Sequence, residues 1–213
     1  IGHDAGKLMT TGVQNTLIGG LVGDALTTGS YNVAMGYNSL SATTVGALNT
    51  AIGNFALSSN ILTNGNVAIG QQALQVAVGD GSTDNQLTYN TAVGYFAGKA
   101  ITTGIQNTII GSLAGDALNT GSYNVAIGFE ALSSEDSGGK NVAIGRLALK
   151  DLDAGADAYN VAIGFNAGEN VSTGINNTII GGLAGDGINI GDDNVALGYL
   201  ALSGIGPGNK NTA

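Results

Sequence analysis

A five-residue motif, Asn-(Val/Thr)-X-(Ile/Val/Leu/Met)-Gly, recurs eleven times along the chain and constrains the fold more than any other feature. The steps between successive motif asparagines are 17, 17, 17, 24, 17, 17, 17, 19, 17 and 17 residues, so a period of 17 continues through two insertions. A fixed period of this length indicates a solenoid, in which each unit contacts mainly its neighbours. The motif asparagines are Asn15, Asn32, Asn49, Asn66, Asn90, Asn107, Asn124, Asn141, Asn160, Asn177 and Asn194.

We call the residues from one motif asparagine to the residue before the next a coil, and number them from the asparagine. The asparagines are expected to stack from coil to coil as a ladder of side-chain amide bonds. Position 5 is always glycine, and a second glycine falls at position 15 in eight of the nine 17-residue coils. Glycine at a fixed phase predicts corners where the backbone has a positive φ or approaches a neighbour closely. The position 5 glycines are Gly19, Gly36, Gly53, Gly70, Gly94, Gly111, Gly128, Gly145, Gly164, Gly181 and Gly198.

Positions 2 to 4 have the character of a β-strand. Position 2 is always Val or Thr, and position 4 is always a large aliphatic residue. Branched side chains pack well on a pleated surface, and alternate residues share one face of a strand. We therefore expect positions 2 and 4 to face the interior of each coil. A second short strand is expected near positions 8 and 9, which gives two strands and two turns in each coil.

Position 3 lies on the opposite face of that strand and is never polar. A strand with two apolar faces is typical of one that is covered on both sides. We therefore expect position 3 to form an outer stripe that a second chain covers, because long apolar stripes usually mark interfaces. The interface candidates are Leu17, Ala34, Ala51, Ala68, Ala92, Ile109, Ala126, Ala143, Ala162, Ile179 and Ala196.

Composition excludes several classes of protein. The chain has 37 glycines, one proline, 10% charged and 5% aromatic residues, which favours a thin core of small side chains over an ordinary globular enzyme. A net charge of -9 without a basic patch argues against a nucleic-acid partner. With no cysteine, disulfides and thiolate metal sites are excluded. No apolar run approaches the roughly 18 residues of a membrane span, so no membrane contact is expected from this segment.

The run Asn-Val-Ala-Ile-Gly-X-X-Ala-Leu at residues 124–132, followed by a Ser-Ser or Thr-Thr-Gly turn and another motif, resembles the head repeats of YadA-like trimeric autotransporter adhesins. It is also similar to the Asn-Thr-Ala-Ile-Gly-rich shafts of phage tail-fibre proteins. The resemblance covers essentially the whole chain. It implies a left-handed parallel β-roll and three chains packed about a threefold axis. The usual adhesin head repeat is shorter than 17 residues, which favours the fibre shafts slightly.

The fold expected is therefore an all-β parallel solenoid of roughly twelve coils, assembled as a homotrimer. Residues 1–213 form one repeat array with insertions at about 79–88 and 150–158. The cut motifs at Ile1-Gly2 and Asn211-Thr212-Ala213 indicate an excerpt of a longer protein.

The expected function is that of a structural or adhesive segment of a phage tail fibre or bacterial surface adhesin. It would be extracellular and would act in attachment to a host or surface, with a cell-surface glycan or protein as receptor. The alternative is a monomeric solenoid that binds glycan or matrix along one face. A polysaccharide-degrading β-helix is disfavoured, because the acidic residues are scattered over different phases of the repeat.

The remaining candidate site residues are interpreted as structural, and no cofactor is expected. His3 is interpreted as a surface residue, and the glycine pairs Gly19-Gly20 and Gly181-Gly182 as corners and not phosphate cradles. Residues 79–85 have the composition of a calcium loop but lack EF-hand spacing, so a surface loop is favoured. Asp151, Asp153 and Asp157 are assigned to a second solvated loop.

Aromatic residues recur just before the motif asparagine and just after the motif glycine. They are expected to cover coil edges or seams between chains, with stacking on sugars as the alternative. They are Tyr31, Tyr37, Tyr89, Tyr95, Tyr123, Phe129, Tyr159, Phe165 and Tyr199.

Overall fold

The computed structural model describes residues 1–79, 86–204, 206 and 208–213, and in this part the chain is an all-β solenoid with no helix. It makes about ten turns with a period of about 17 residues. The strands of the described part are β1 (Thr16–Ile18), β2 (Val33–Met35), β3 (Thr50–Ile52), β4 (Thr63–Asn64), β5 (Val67–Ile69), β6 (Gln86–Leu87), β7 (Thr91–Val93), β8 (Thr108–Ile110), β9 (Val125–Ile127), β10 (Val142–Ile144), β11 (Val161–Ile163), β12 (Thr178–Ile180) and β13 (Val195–Leu197).

Eleven of these strands form one parallel sheet in the order β1-β2-β3-β5-β7-β8-β9-β10-β11-β12-β13. Every pairing joins motif to motif. Val67 of β5 pairs with Thr91 of β7 across the 24-residue coil, and Val142 of β10 pairs with Val161 of β11 across the 19-residue coil. The large sheet therefore continues in register past both insertions, and the predicted parallel solenoid is confirmed.

The prediction of which residues face inward is wrong. Position 3 is buried inside the coil of its own chain, whereas positions 2 and 4 lie toward solvent. Each strand has only three residues between two corners, and alternate side chains point to opposite faces, so one central side chain faces the narrow interior. The former interface candidates are therefore core residues: Leu17, Ala34, Ala51, Ala68, Ala92, Ile109, Ala126, Ala143, Ala162, Ile179 and Ala196.

The core is thin and is filled by complementary volumes. Where position 3 is alanine, as at Ala126, position 9 can be a buried leucine, as at Leu132. Where position 3 is large, as at Ile109, position 9 is glycine, and a Cβ on Gly115 would lie 3.1 Å from the Cδ1 atom of Ile109. The cross-section holds about one large side chain at this point, and no coil combines a large residue at position 3 with leucine at position 9.

No second strand forms near positions 8 and 9, contrary to prediction. This segment is a series of turns in which positions 7 and 9 are left-handed, as in Leu147 (φ 58) and Leu149 (φ 48). The backbone still bonds to both neighbouring coils, because Leu147 N–H donates to the Phe129 carbonyl at 2.9 Å and Leu149 N–H to the Ala167 carbonyl at 3.1 Å. Left-handed residues curl the chain too tightly for a strand while leaving these bonds intact.

Both glycine corners are confirmed. Position 5 has a positive φ, as at Gly145 (φ 138). Position 15 does not, but a Cβ on Gly121 would collide with the carbonyl oxygen of Gly138 in the next coil. The distance between coils requires glycine at both corners, and the positive φ requires it at position 5 as well.

The asparagine ladder is also confirmed. The N–H of Asn177 donates to Oδ1 of Asn160 at 2.8 Å, and its Nδ2 donates to the Gly191 carbonyl at 2.9 Å. These side chains are fully or almost fully buried between Asn32 and Asn194. The ladder therefore satisfies polar backbone groups that the thin core would otherwise leave unpaired.

Candidate assembly surface

The outward side chains of the large sheet form a continuous apolar band, which we call the outer stripe. It has one row of Val and Thr at position 2 and one row of large aliphatic residues at position 4. With ten spacings between eleven strands, the stripe is about 48 Å long. Its members are Thr16, Ile18, Val33, Met35, Thr50, Ile52, Val67, Ile69, Thr91, Val93, Thr108, Ile110, Val125, Ile127, Val142, Ile144, Val161, Ile163, Thr178, Ile180, Val195 and Leu197.

The outer stripe is uncharged and partly open to solvent. Met35, Ile110 and Ile163 are 42%, 39% and 37% exposed. An uninterrupted apolar surface of this length usually marks an interface on a water-soluble chain.

The stripe is also rigid. In-register pairing places Val142 directly between Val125 and Val161, so branched side chains form a stacked row. Branched residues have few χ1 rotamers to lose on association. The entropic cost of covering this surface is therefore small compared with that of a surface of long flexible side chains.

Aromatic residues flank the stripe at both ends of strands β2, β7, β9 and β11. Each of these rings is about half exposed. The four bordering pairs are Tyr31 with Tyr37, Tyr89 with Tyr95, Tyr123 with Phe129, and Tyr159 with Phe165.

The border that follows the motif glycine contains a cation between two rings. The Arg146 guanidinium carbon lies 5.9 Å from the ring centre of Phe129 and 5.3 Å from that of Phe165. These residues occupy the same position in three successive coils. The arginine therefore links the three coils through cation–π contacts and covers ring surface on that border.

The second insertion contributes to the opposite border. The Lys140 ammonium lies 2.7 Å from a carboxylate oxygen of Asp157 and donates to the Tyr159 hydroxyl at 2.9 Å. The bond to Asp157 raises the pKa of Lys140. Because the pair is exposed, it fixes geometry more than it stabilises the fold.

The acidic residues of that insertion do not converge on a metal site. Asp151 lies 3.8 Å from the ammonium of Lys150, and Asp157 is paired with Lys140. Among the described residues, no group of three or more acidic, histidine or cysteine side chains is arranged to hold a metal ion. The calcium-loop composition falls mainly on residues 80–85, which lie outside the described residues.

A buried carboxylate, which sequence reasoning missed, lies beside this insertion. Glu135 is fully buried at position 12, and burial raises its pKa. Such a group can mark an active site. Here both carboxylate oxygens accept backbone N–H groups, from Gly138 at 2.6 Å and from Ala154 at 3.2 Å, so Glu135 has a structural role.

Glu135 replaces an acceptor that is used elsewhere between coils. In three coils the position 15 N–H donates to position 13 of the next coil, as Gly121 does to the Asp136 carbonyl. In the coil before each insertion, a polar residue at position 12 accepts this N–H instead. Glu135 accepts it from Gly138, and Asn60 accepts it from Thr63 at 3.0 Å. A polar residue at a core position next to an insertion is the sequence signal that could have identified this arrangement.

Glu135 is expected to make stability depend on pH. Because its folded pKa is raised above the ordinary 4.5, its contribution to the free energy of unfolding is fully present below that value and is lost as pH rises through the folded pKa. Asp153, the charged neighbour, acts in the same direction. We expect Glu135→Gln to remove this part of the decline in the free energy of unfolding, as measured by urea denaturation between about pH 4 and pH 7. Asp136 is an exposed neighbour, so Asp136→Asn should keep the native dependence of the free energy of unfolding on pH. The same dependence in the native chain and both variants would contradict the assignment to Glu135.

The other candidate residues have no catalytic arrangement. The His3 side chain is 84% exposed and lies 3.7 Å from Asp4, as expected of a surface residue. The described residues enclose no pocket. They also include no helix long and apolar enough to cross a membrane.

Comparison with known proteins gave no match to a family model, to a curated protein or to a solved structure.

Proposed function

We propose that the chain is a structural and adhesive segment of an extracellular fibre, in which three copies pack their outer stripes around a common axis. The observation that carries the proposal is the uncharged stripe on all eleven strands of the sheet. The resemblance to adhesin heads and tail-fibre shafts supports the trimer and left-handed coils. The role is mechanical, as the shaft or head of a phage tail fibre or bacterial surface adhesin.

A further copy of the same chain fits this stripe better than an unrelated partner. Its rows repeat every coil, at about 4.8 Å. A copy aligned in parallel has the same pitch and places its two insertions at the same heights. Opposing side chains can then interdigitate along the full length of the rod.

The size of the stripe is sufficient for stable assembly. With the border that follows the motif glycine, and without the opposite one, a band about 48 Å long and about 13 Å wide covers about 600 Å² for each chain, at the lower end of the range for stable interfaces. Three parallel chains would present three copies of any binding surface. Weak attachment to a host glycan or protein would then be strengthened by multivalency.

The test is the solution mass by light scattering after size exclusion, over a range of concentrations. We expect a mass three times 20.9 kDa. The double variant Ile110→Lys/Ile144→Lys places charges on two coils of the stripe and should give a monomer. A matched variant, Thr120→Lys/Ser137→Lys, changes exposed residues outside the stripe and should remain trimeric.

Circular dichroism of each variant shows whether the solenoid is retained. A native chain that stays monomeric at every concentration would overturn the trimer. So would a folded stripe variant that keeps the trimer mass.

A further inference from the structure

Three tyrosines on one border of the stripe form a regular row. Tyr89, Tyr123 and Tyr159 each precede a motif asparagine, and their separations in sequence are 34 and 36 residues. Strands β7, β9 and β11 follow them, with one strand between each pair in the sheet. The insertion therefore changes the sequence distance and not the number of coils. The tyrosines repeat every two coils, about 9.6 Å apart.

The three tyrosines share a backbone conformation and a degree of exposure, and at Tyr159 the Lys140 ammonium also lies 4.9 Å from the ring centre. All three residues are left-handed, with φ of 50, 62 and 55, and they are 51%, 48% and 52% exposed. Tyr89 lies close over Gly65 of the preceding coil, because a Cβ there would lie 2.8 Å from the Cδ1 atom of Tyr89. The common backbone conformation projects each phenol from the same point of its coil.

Hydrogen-bonding side chains occupy the coils between them. Gln106 lies between Tyr89 and Tyr123, and Lys140 lies between Tyr123 and Tyr159, all at the same position of the repeat. Both Gln106 and Lys140 are exposed. The row thus alternates aromatic and polar residues along the axis of the rod.

We propose that this row binds an extended β-linked polysaccharide of neutral sugars, of cellulose or chitin type, along the axis of the rod. In such a chain successive rings face opposite ways, so the same face returns with every second ring. That period matches one tyrosine in every two coils. The apolar C–H face of a sugar packs on an aromatic ring, while Gln106 can bond to a hydroxyl or amide group of an intervening ring. The Lys140 ammonium has one hydrogen left to donate beside its bonds to Asp157 and Tyr159.

Net charge favours a neutral chain over a polyanion, since the protein carries a formal charge of -9. This inference deepens the proposed attachment role and rests on it, because it names the ligand class. It does not rest on the trimer, since every residue of the row belongs to one chain. The mass measurement and the binding measurement can therefore fail separately.

The test is titration calorimetry of the intact chain with cellohexaose and with chitohexaose. We expect at least one to bind, and maltohexaose, whose α-linked chain curls, to bind at least tenfold more weakly. Tyr123→Ala should weaken binding about tenfold, while Tyr123→Phe should stay within about threefold of the native chain.

Tyr31→Ala is the matched control. Tyr31 occupies the same position and is 55% exposed, but β2 lies three strands from β7, so Tyr31 is outside the two-coil period. It should bind as the native chain does. The proposal is overturned if neither β-linked hexasaccharide binds, if maltohexaose binds equally, or if Tyr31→Ala loses as much affinity as Tyr123→Ala.

Discussion

Gly181→Ala is expected to destabilise the chain by about 3–5 kcal/mol, one of the largest effects of any conservative substitution in it. Gly181 has φ 138, a conformation that residues with a side chain rarely adopt. An added Cβ would lie 2.5 Å from the carbonyl carbon of Gly198 in the next coil, and closer still to its oxygen. Both atoms belong to the backbone, so the steric clash can be removed only if the two coils move apart. The measurement is urea unfolding, with hydrogen exchange to locate the loss at β12 and β13.

The adjacent glycine is the control. A Cβ on Gly182 would meet only the Tyr199 ring, at 3.6 Å, which is an ordinary contact. Gly182→Ala should therefore change the free energy of unfolding by less than about 0.5 kcal/mol. Equal losses for the two variants would contradict the assignment of the effect to the positive φ and close approach at Gly181.

Period, register and the asparagine ladder could be predicted from sequence because each depends on residues that repeat at a fixed phase. A glycine at Gly145 and an asparagine at Asn177 have the same neighbours in every coil. Local chemistry therefore fixes their environment, and the structure confirms both roles.

Which face of each strand points into the coil could not be predicted in this way. Positions 2, 3 and 4 are all apolar, so hydrophobicity does not distinguish the faces. What decides is side-chain volume, because the interior holds Ala126 and Leu132 together but has no room for two rows of Val and Ile. The larger residues face outward. This correction moves the apolar outer surface from position 3 to positions 2 and 4, where its residues are larger.

The role of residues that depart from the repeat also could not be predicted from the sequence. Glu135 is flanked at position 12 by Leu118 and Leu152 in the neighbouring coils, and all three are buried. Its role follows from the insertion in the coil after it, which leaves the Gly138 N–H without the next coil's carbonyl. A break in the repeat therefore has consequences one coil upstream, which reading a single coil does not show.

The second large effect is expected from Asn177→Gln, which adds one methylene to a ladder residue. The Asn177 Oδ1 atom accepts the N–H of Asn194 at 3.0 Å and its Nδ2 at 2.9 Å, while the Asn177 Nδ2 atom donates to the Gly191 carbonyl at 2.9 Å. A longer side chain displaces the amide in a fully buried site and leaves backbone groups of two coils unpaired. We expect a loss of about 2–4 kcal/mol in urea unfolding.

Asn176→Gln is the matched control, since the same substitution is made one residue away at an exposed position. Gln106 already occupies that position in another coil with φ 55, so the backbone accepts glutamine there. The control should stay within about 0.5 kcal/mol of the native chain. Because the Asn194 N–H donates to the Asn177 side chain, amide exchange in Asn177→Gln should rise at Asn194 before it rises elsewhere. A uniform rise along the rod would instead mean that the coils unfold as one unit, and that the ladder is one contribution among many to a single cooperative transition.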